Sequence, residues 1–321
     1  SVTIPAISKT GYTCSWNTSA DGTGTTYNGG DVTDKLNTQT LYAVCTANTY
    51  TIKYDANGGE GAPADQKFVF NSGAKISTTT PTRTGYTFAN WKMGNTILKP
   101  GDVVPTGWGS FTLVAQWTAN TNTAYKVVHQ QMGLDGSTYT TVETENLTGT
   151  TDSSVSPAVK SYTGFTSPSV QTVTISGDGS TVVTYKYTRN KYTYTLGSAT
   201  GVSTTGSTAS GSYYYGSTIT LKATANTGYT FNGWTSSNTS LVANQTNVSA
   251  TFTMPAGNIT MTPSVNLVSY TVTYDATTNG GSTAKQTVST KYKSSVDLTK
   301  KAEKTGYEFI GWNTNKDATS A

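Results

Sequence analysis

The stretch Gly85-Tyr86-Thr87-Phe88-Ala89-Asn90-Trp91 decides the fold, because the chain repeats it. Its phrase returns as Gly11-Tyr-Thr-Cys14, Gly228-Tyr-Thr-Phe231 and Gly306-Tyr-Glu-Phe309, with Trp16, Trp234 and Trp312 close behind. A weaker echo is Ser161-Tyr-Thr-Gly-Phe165. Gly11, Gly85, Gly164, Gly228 and Gly306 therefore mark five units of roughly 65–80 residues, and a fixed period of this kind outranks every other sequence signal.

Two further phrases give the unit its order. Tyr50-Thr-Ile-Lys-Tyr-Asp-Ala-Asn-Gly-Gly59, matched by Tyr270 to Ala276 with Asn279-Gly-Gly281, reads as an alternating strand running into a tight hairpin turn. Leu41 to Asn48 and Leu113 to Asn120 read as half-buried closing strands. The expected unit is a hairpin, a short connection, the Gly-Tyr-Thr-Phe strand, an irregular loop and a closing strand. The connection Gly73–Thr84 has room for one short helical turn, and its threonines and Pro81 argue against anything longer. The boundaries fall at 1–48, 49–120, 121–190, 191–267 and 268–321. The first unit lacks its opening hairpin and the last its closing strand, so the 321 residues read as an excerpt of a longer polypeptide.

Composition agrees with short strands. Of 321 residues, 68 are Thr, 32 Gly and 21 Tyr, and only 12% are charged. Thr and Tyr favour strands over helices. A net charge of +4 with no Lys/Arg run beyond Lys300-Lys301 gives no concentrated basic face for nucleic acid. No apolar run approaches the roughly 20 residues of a membrane-spanning helix. One histidine and two cysteines leave too few ligands for a zinc site, and no cofactor motif is present. Asp21-Gly-Thr-Gly24 and Asp178-Gly-Ser180 resemble cation loops only faintly, since each offers one carboxylate where calcium needs six to eight oxygens.

The Tyr-Asp-Ala-Asn-Gly-Gly, Gly-Tyr-Thr-Phe-x-x-Trp and Ala-Gln-Trp-Thr-Ala strings resemble the Listeria–Bacteroides repeat, the internalin-B-type B-repeat. The second unit, Asn48 to Asn120, matches along its whole length. The third unit, with Tyr125-Lys-Val-Val-His-Gln-Gln and Gly177 to Asn190, is similar to a mucin-binding-type (MucBP-like) module. The fourth, with Phe252-Thr-Met-Pro-Ala-Gly-Asn-Ile-Thr-Met261, looks like a divergent B-repeat. The resemblance implies small β-grasp-like, strand-dominated modules in tandem, mainly β overall. It implies a secreted or wall-attached bacterial protein, at the cell surface.

Particular residues carry two readings each. Phe88, Trp91, Trp117, Phe231, Trp234, Phe309 and Trp312 recur at fixed positions and read as each unit's core, with sugar stacking as the other reading. Trp108 sits in a Gly-rich loop outside the repeat and is a candidate ligand contact. So are Tyr213, Tyr214 and Tyr215, three consecutive rings that a strand sends to both faces. Cys14 stands where Phe88 stands, and Cys45 where Trp117 stands. A disulfide would close a loop of about 30 residues and contribute roughly 3 kcal/mol; the alternative is two free buried thiols. His129 reads as a surface strand residue.

The leading expectation is a non-enzymatic extracellular stalk, a monomeric rod of modules with very short linkers that displays a distal domain. A second is an adhesin whose modules bind mucin, glycans or host matrix protein. A third is an accessory region of a large secreted enzyme. Fold resemblance cannot choose among them.

Overall fold

In a computed structural model, residues 1–36 and 39–321 are described. The chain is mainly β, and among the described residues the helical content is one 3-10 turn at Thr277–Asn279. The connection Gly73–Thr84 contains no helical turn. It runs extended, bridging Lys75 to Val103 and Thr82 to Glu60. Two compact units divide the chain: Ser1–Val128 with Thr144–Ala158 and Val170–Thr184, and His129–Glu143 with Val159–Ser169 and Tyr185–Ala321.

The first unit is built around a five-stranded sheet of order Gln66–Val69, Thr49–Asp55, Phe111–Ala119, Tyr86–Met93, Thr96–Leu98. The opening strand Thr49–Asp55 lies parallel to the closing strand Phe111–Ala119, with Ile52 beside Phe111 and Asp55 beside Val114. All its other pairings are antiparallel. The inward face carries Ile52, Phe68, Trp91, Leu98, Leu113 and Ala115, joined by Ile76 and Val104 from the connections. The Asn-Gly signal gives the tight turn it predicts: Asn57 (φ 48°) and Gly58 (φ 81°) are both left-handed, and the Gly59 N–H donates to the Ala56 carbonyl at 3.0 Å. The chain does not fold straight back, however. Glu60 bridges Thr82, and the returning strand begins only at Gln66.

A smaller three-stranded sheet, Thr26–Tyr27, Tyr12–Asn17 and Tyr42–Ala47, precedes it. Cys14 lies directly opposite Cys45, their Cα atoms 4.1 Å apart, and the two are disulfide-bonded. The loop after Trp16 is organised by Asn17, which is 2% exposed. Its Oδ1 accepts from the Ser19 and Gly24 N–H groups, and its Nδ2 donates to the Gly22 and Gly24 carbonyls.

The second unit repeats the plan. Lys191–Leu196 lies between Gly211–Tyr214, antiparallel, and Ile259–Leu267, parallel; Tyr229–Ser236 follows. Tyr194, Ile219, Leu221, Trp234, Met254, Ile259 and Met261 form its core. Farther along, Ser269–Tyr274 and Gln286–Lys291 make an antiparallel hairpin.

The spacing of the Phe-x-x-Trp phrase has a structural cause. Residues three apart on a regular strand face opposite sides. Here the pairing with the closing strand slips between Phe88 and Trp91, and again between Phe231 and Gly233. The extra residue of this bulge returns both rings to one face. Phe88–Trp91 and Phe231–Trp234 consequently meet edge-to-face at 5.2 and 5.9 Å; Phe309 and Trp312, which lie in no strand, meet at 5.1 Å. In the first repeat the tryptophan follows two residues after Cys14, and that strand pairs without a bulge.

His129 corrects the reading that places it at the surface. Along Thr123–Met132 the residues Thr123, Tyr125, Val127 and His129 all point inward by strand alternation, and His129 is fully buried. Its Nδ1 lies 2.8 Å from the Tyr187 hydroxyl, which also accepts the Lys160 N–H at 2.9 Å. The rings of Tyr185 and Tyr187 stand 5.8 Å from the imidazole.

Candidate functional site

The Thr-Gly-Tyr phrase is a turn before it is a strand. In each copy the N–H of the aromatic residue donates to the carbonyl three residues earlier: Tyr12 to Lys9, Tyr86 to Arg83, Phe165 to Tyr162, Tyr229 to Asn226, Tyr307 to Lys304. The intervening glycines have φ between 78° and 84°, the third position of a type II turn. Where the first turn residue is basic, its cation sits over the ring: Lys9 on Tyr12 at 4.0 Å, Arg83 on Tyr86 at 4.1 Å, Lys304 on Tyr307 at 4.2 Å.

Four of these turns are joined to the next stretch of repeat in one way. The Asn48 N–H donates to the Gly11 carbonyl at 2.9 Å, and the Asn48 carbonyl accepts the Phe70 N–H at 2.9 Å. Asn120 links Gly85 to Thr151, Asn190 links Gly164 to Tyr215, and Val268 links Gly228 to Tyr292, every bond again 2.9 Å. At the three asparagines a side-chain bond is added: Thr13 Oγ1 donates to Asn48 Oδ1 at 2.6 Å, Thr87 to Asn120 at 2.7 Å, Thr166 to Asn190 at 2.6 Å.

The bare face of each of these glycines is covered by residues of the succeeding repeat. A Cβ at Gly11 would overlap the Phe70 ring, at Gly164 the Tyr215 ring, and at Gly228 the Tyr292 ring; at Gly85 it would strike the Gly177 backbone. The covering rings also meet the turn's own aromatic residue edge-on: Tyr12–Phe70 at 5.7 Å, Phe165–Tyr215 at 6.1 Å, Tyr229–Tyr292 at 6.0 Å. At the second junction the Tyr86 hydroxyl instead donates to Asp152. Hydrogen bonds, edge-on ring contacts and van der Waals contact join each of these turns to the succeeding repeat, so what the arrangement does chemically is fix one repeat against the next.

The residues singled out in the sequence distribute differently. Trp91 and Trp234 are 0% and 1% exposed and centre their cores, with Phe88 and Phe231 half-buried beside them; Phe309 and Trp312 are half-buried against each other and Tyr274 and belong to neither core. Trp117 is a half-buried lid rather than a central core residue. Its Nε1 donates to the carbonyls of Ala56 and Asn57, both at 3.1 Å, and its ring closes over Gly59. Trp108 stands edge-on to Phe111 at 4.7 Å, against the core. Tyr213 packs on the second core and donates to the Ala209 carbonyl, Tyr214 lies under Lys191, and Tyr215 is a junction residue. Sequence reasoning alone does not pick out the asparagines as joints. Their signal is nonetheless present in Thr46-Ala-Asn48, Thr118-Ala-Asn120 and Thr188-Arg-Asn190, each at the end of a unit.

The aspartate loops are explained without a cation. Asp21 accepts from Ser19, from the Thr23 hydroxyl and from the Thr23 N–H; Asp135 from Ser137 and Thr138; Asp178 from Ser180. These bonds favour the ionised form and hold all three carboxyls at about 2, below the ordinary 3.8. Because the folded-state values are depressed, the loops keep this contribution above about pH 4 and lose it as pH falls from about 4 through 2. Carboxyl-carbon titration by NMR checks this: inflections near 2 are expected for Asp21, Asp135 and Asp178, and inflections near 3.8 would count against the loop bonding. Among the described residues no cluster of His, Cys, Asp or Glu could hold a metal ion, and no helix is long and apolar enough to cross a membrane.

Three segments of the chain match known repeat-domain families. Residues 50–116 and 270–321 match the Listeria-Bacteroides repeat domain, and residues 192–264 match the divergent InlB B-repeat domain. Two proteins of Evansella cellulosilytica are similar. One, provisionally named a Gly-rich membrane protein, is 28% identical over 337 residues, covering 98% of this chain and 37% of that protein. The other, provisionally named a membrane protein, is 36% identical over 89 residues, covering 25% of this chain and 13% of that protein. The chain thus spans well under half the length of either relative.

Proposed function

On the premise that the chain carries Listeria–Bacteroides-type and divergent InlB B-repeat domains in tandem, we propose that it is a non-enzymatic, extracellular stalk of a bacterial surface protein, a monomeric spacer that holds a distal domain away from the cell. Repeats of this kind are typical of such proteins, and the relatives' names are compatible with a surface location. The observation that carries the reading is the fourfold junction, in which a linker residue bonds backward to a glycine carbonyl and forward to the next repeat's amide. A flexible tether needs no such joint. A stalk does, because every free hinge would let the displayed domain fall back toward the surface. Small-angle scattering tests it: an elongated, rod-like particle is expected, and a compact particle or one with the profile of a flexible chain would overturn it.

The adhesin reading, with host glycans, mucin or matrix protein as partners, draws on the mucin-binding-type pattern of residues 121–190 and on Trp108 with Tyr213–Tyr215. Those four rings all have partners inside the fold, which leaves the stalk as the better-supported reading. Retention of the chain on immobilised mucin would reverse that preference.

A further inference from the structure

Resting on the stalk reading, we propose that the second and fourth repeats bear mechanical tension: each is a shear clamp that resists force applied along the chain. The chain enters the second repeat through Thr49–Asp55 and leaves it through Phe111–Ala119, and these two strands are adjacent and parallel. It enters the fourth through Lys191–Leu196 and leaves through Ile259–Leu267, again adjacent and parallel. Tension pulls the start of the first strand and the end of the second in opposite directions. In a parallel pair this slides one strand along the other, so all the bonds between them share the load at once. A hairpin pulled at its two ends is peeled one bond at a time.

Both clamps are finished at corresponding points. One step before the first paired residues, the Thr51 N–H donates to Ser110 Oγ at 3.0 Å, and the Thr193 N–H donates to Asn258 Oδ1 at 2.9 Å. Beyond the other end, Asn57 Nδ2 donates to the Ala115 carbonyl at 2.9 Å in the second repeat, and the Gly197 N–H donates to the Met261 carbonyl at 2.9 Å in the fourth. Trp117 adds its two bonds to the Ala56 and Asn57 carbonyls. One face of each pair is dry: Ile52, Leu113 and Ala115 in the second repeat, and Tyr194, Ile259 and Met261 in the fourth, are at most 2% exposed. Water cannot readily compete there for a bond strained by sliding. The junctions feed this geometry, because Asn48 and Asn120 fix where the chain enters and leaves the second repeat.

The test is single-molecule force spectroscopy on the full chain, with the Cys14–Cys45 disulfide intact and handles attached in two ways. Handles at T49C and T118C, both exposed sites, load the clamp in shear. Handles at T49C and T106C, again both exposed, load the same two strands from one end and peel them. At equal force the second repeat is expected to survive at least tenfold longer in the first geometry. S110A, which removes a strap and no core atom, is expected to shorten the shear lifetime about fivefold. A lifetime ratio below ten overturns the proposal. It does so independently of the stalk reading, which scattering decides.

Discussion

A chain carrying Gly85→Ala is expected to lose the joint that follows the second repeat. Gly85 has φ +80°, a conformation that costs an L-residue about 1–2 kcal/mol. The added methyl meets the Gly177 backbone, which cannot rotate away as a side chain would, and overpacking of this sort costs about 1–3 kcal/mol more. The joint's opening should therefore become about 2–5 kcal/mol easier. The N–H groups of Asn120 and Thr151 cross that joint, to the Gly85 and Asn120 carbonyls. Their hydrogen exchange should accelerate at least about 30-fold, since 1.4 kcal/mol is about a factor of ten. Gly306 supplies the control. It has the same φ of +80°, but nothing lies within 4 Å of where its Cβ would stand. Gly306→Ala should cost only the backbone strain, about 1–2 kcal/mol in its own repeat. Equal costs at the two glycines would mean that the covering contact contributes nothing.

The second large effect is expected from the disulfide. Cys14 and Cys45 face each other at the register position that Phe88 and Trp117 occupy in the second repeat, where those rings meet edge-on at 5.8 Å. Two small sulfurs replace two large rings, so this sheet has lost apolar burial that a covalent bond offsets. The bond joins residues 31 apart in sequence, and closing such a loop contributes about 3–4 kcal/mol in the chain-entropy model. For a three-stranded sheet of this size that is a large share of its stability. The double variant Cys14→Ser, Cys45→Ser should leave the Tyr12–Asn17 and Tyr42–Ala47 amides exchanging near the rate of open chain, while those of Phe111–Ala119 keep their protection. Unchanged exchange in the first two strands would show that the bond only decorates a sheet already stable.

Much of this is legible in the sequence, and the exceptions have physical causes. In the second and fourth repeats the phrases locate the strands and the tryptophan cores, and in the second the Asn-Gly turn, because those features are local or periodic; the Gly306 copy lies in no strand. The cysteine pairing is legible as one of two alternatives, because repeat position says which residues are equivalent but not whether sulfurs bond. His129 reads wrongly as a surface residue although the parity Tyr125, Val127, His129 is there to be counted; its polarity masks its position. The joints escape for a different reason. A glycine's carbonyl and an asparagine's amide are the same in every sequence, so a bond between backbones some 26 to 37 residues apart leaves only a faint trace, the Thr-x-Asn ending. The bulge is likewise invisible as such, although the i, i+3 spacing of Phe and Trp on a strand demands one.

If consecutive repeats are fixed rather than tethered, the distance across one joint must be narrowly defined. Two nitroxides measure it most directly, placed by I97C and V170C, which replace exposed residues on the two sides of the Gly85–Asn120–Thr151 link. With the joint intact, electron–electron dipolar spectroscopy should give a single narrow peak, and the same pair in a Gly85→Ala background should give a broadened one. A broad distribution in the parent chain, no narrower than in the Gly85→Ala chain, would contradict fixed joints.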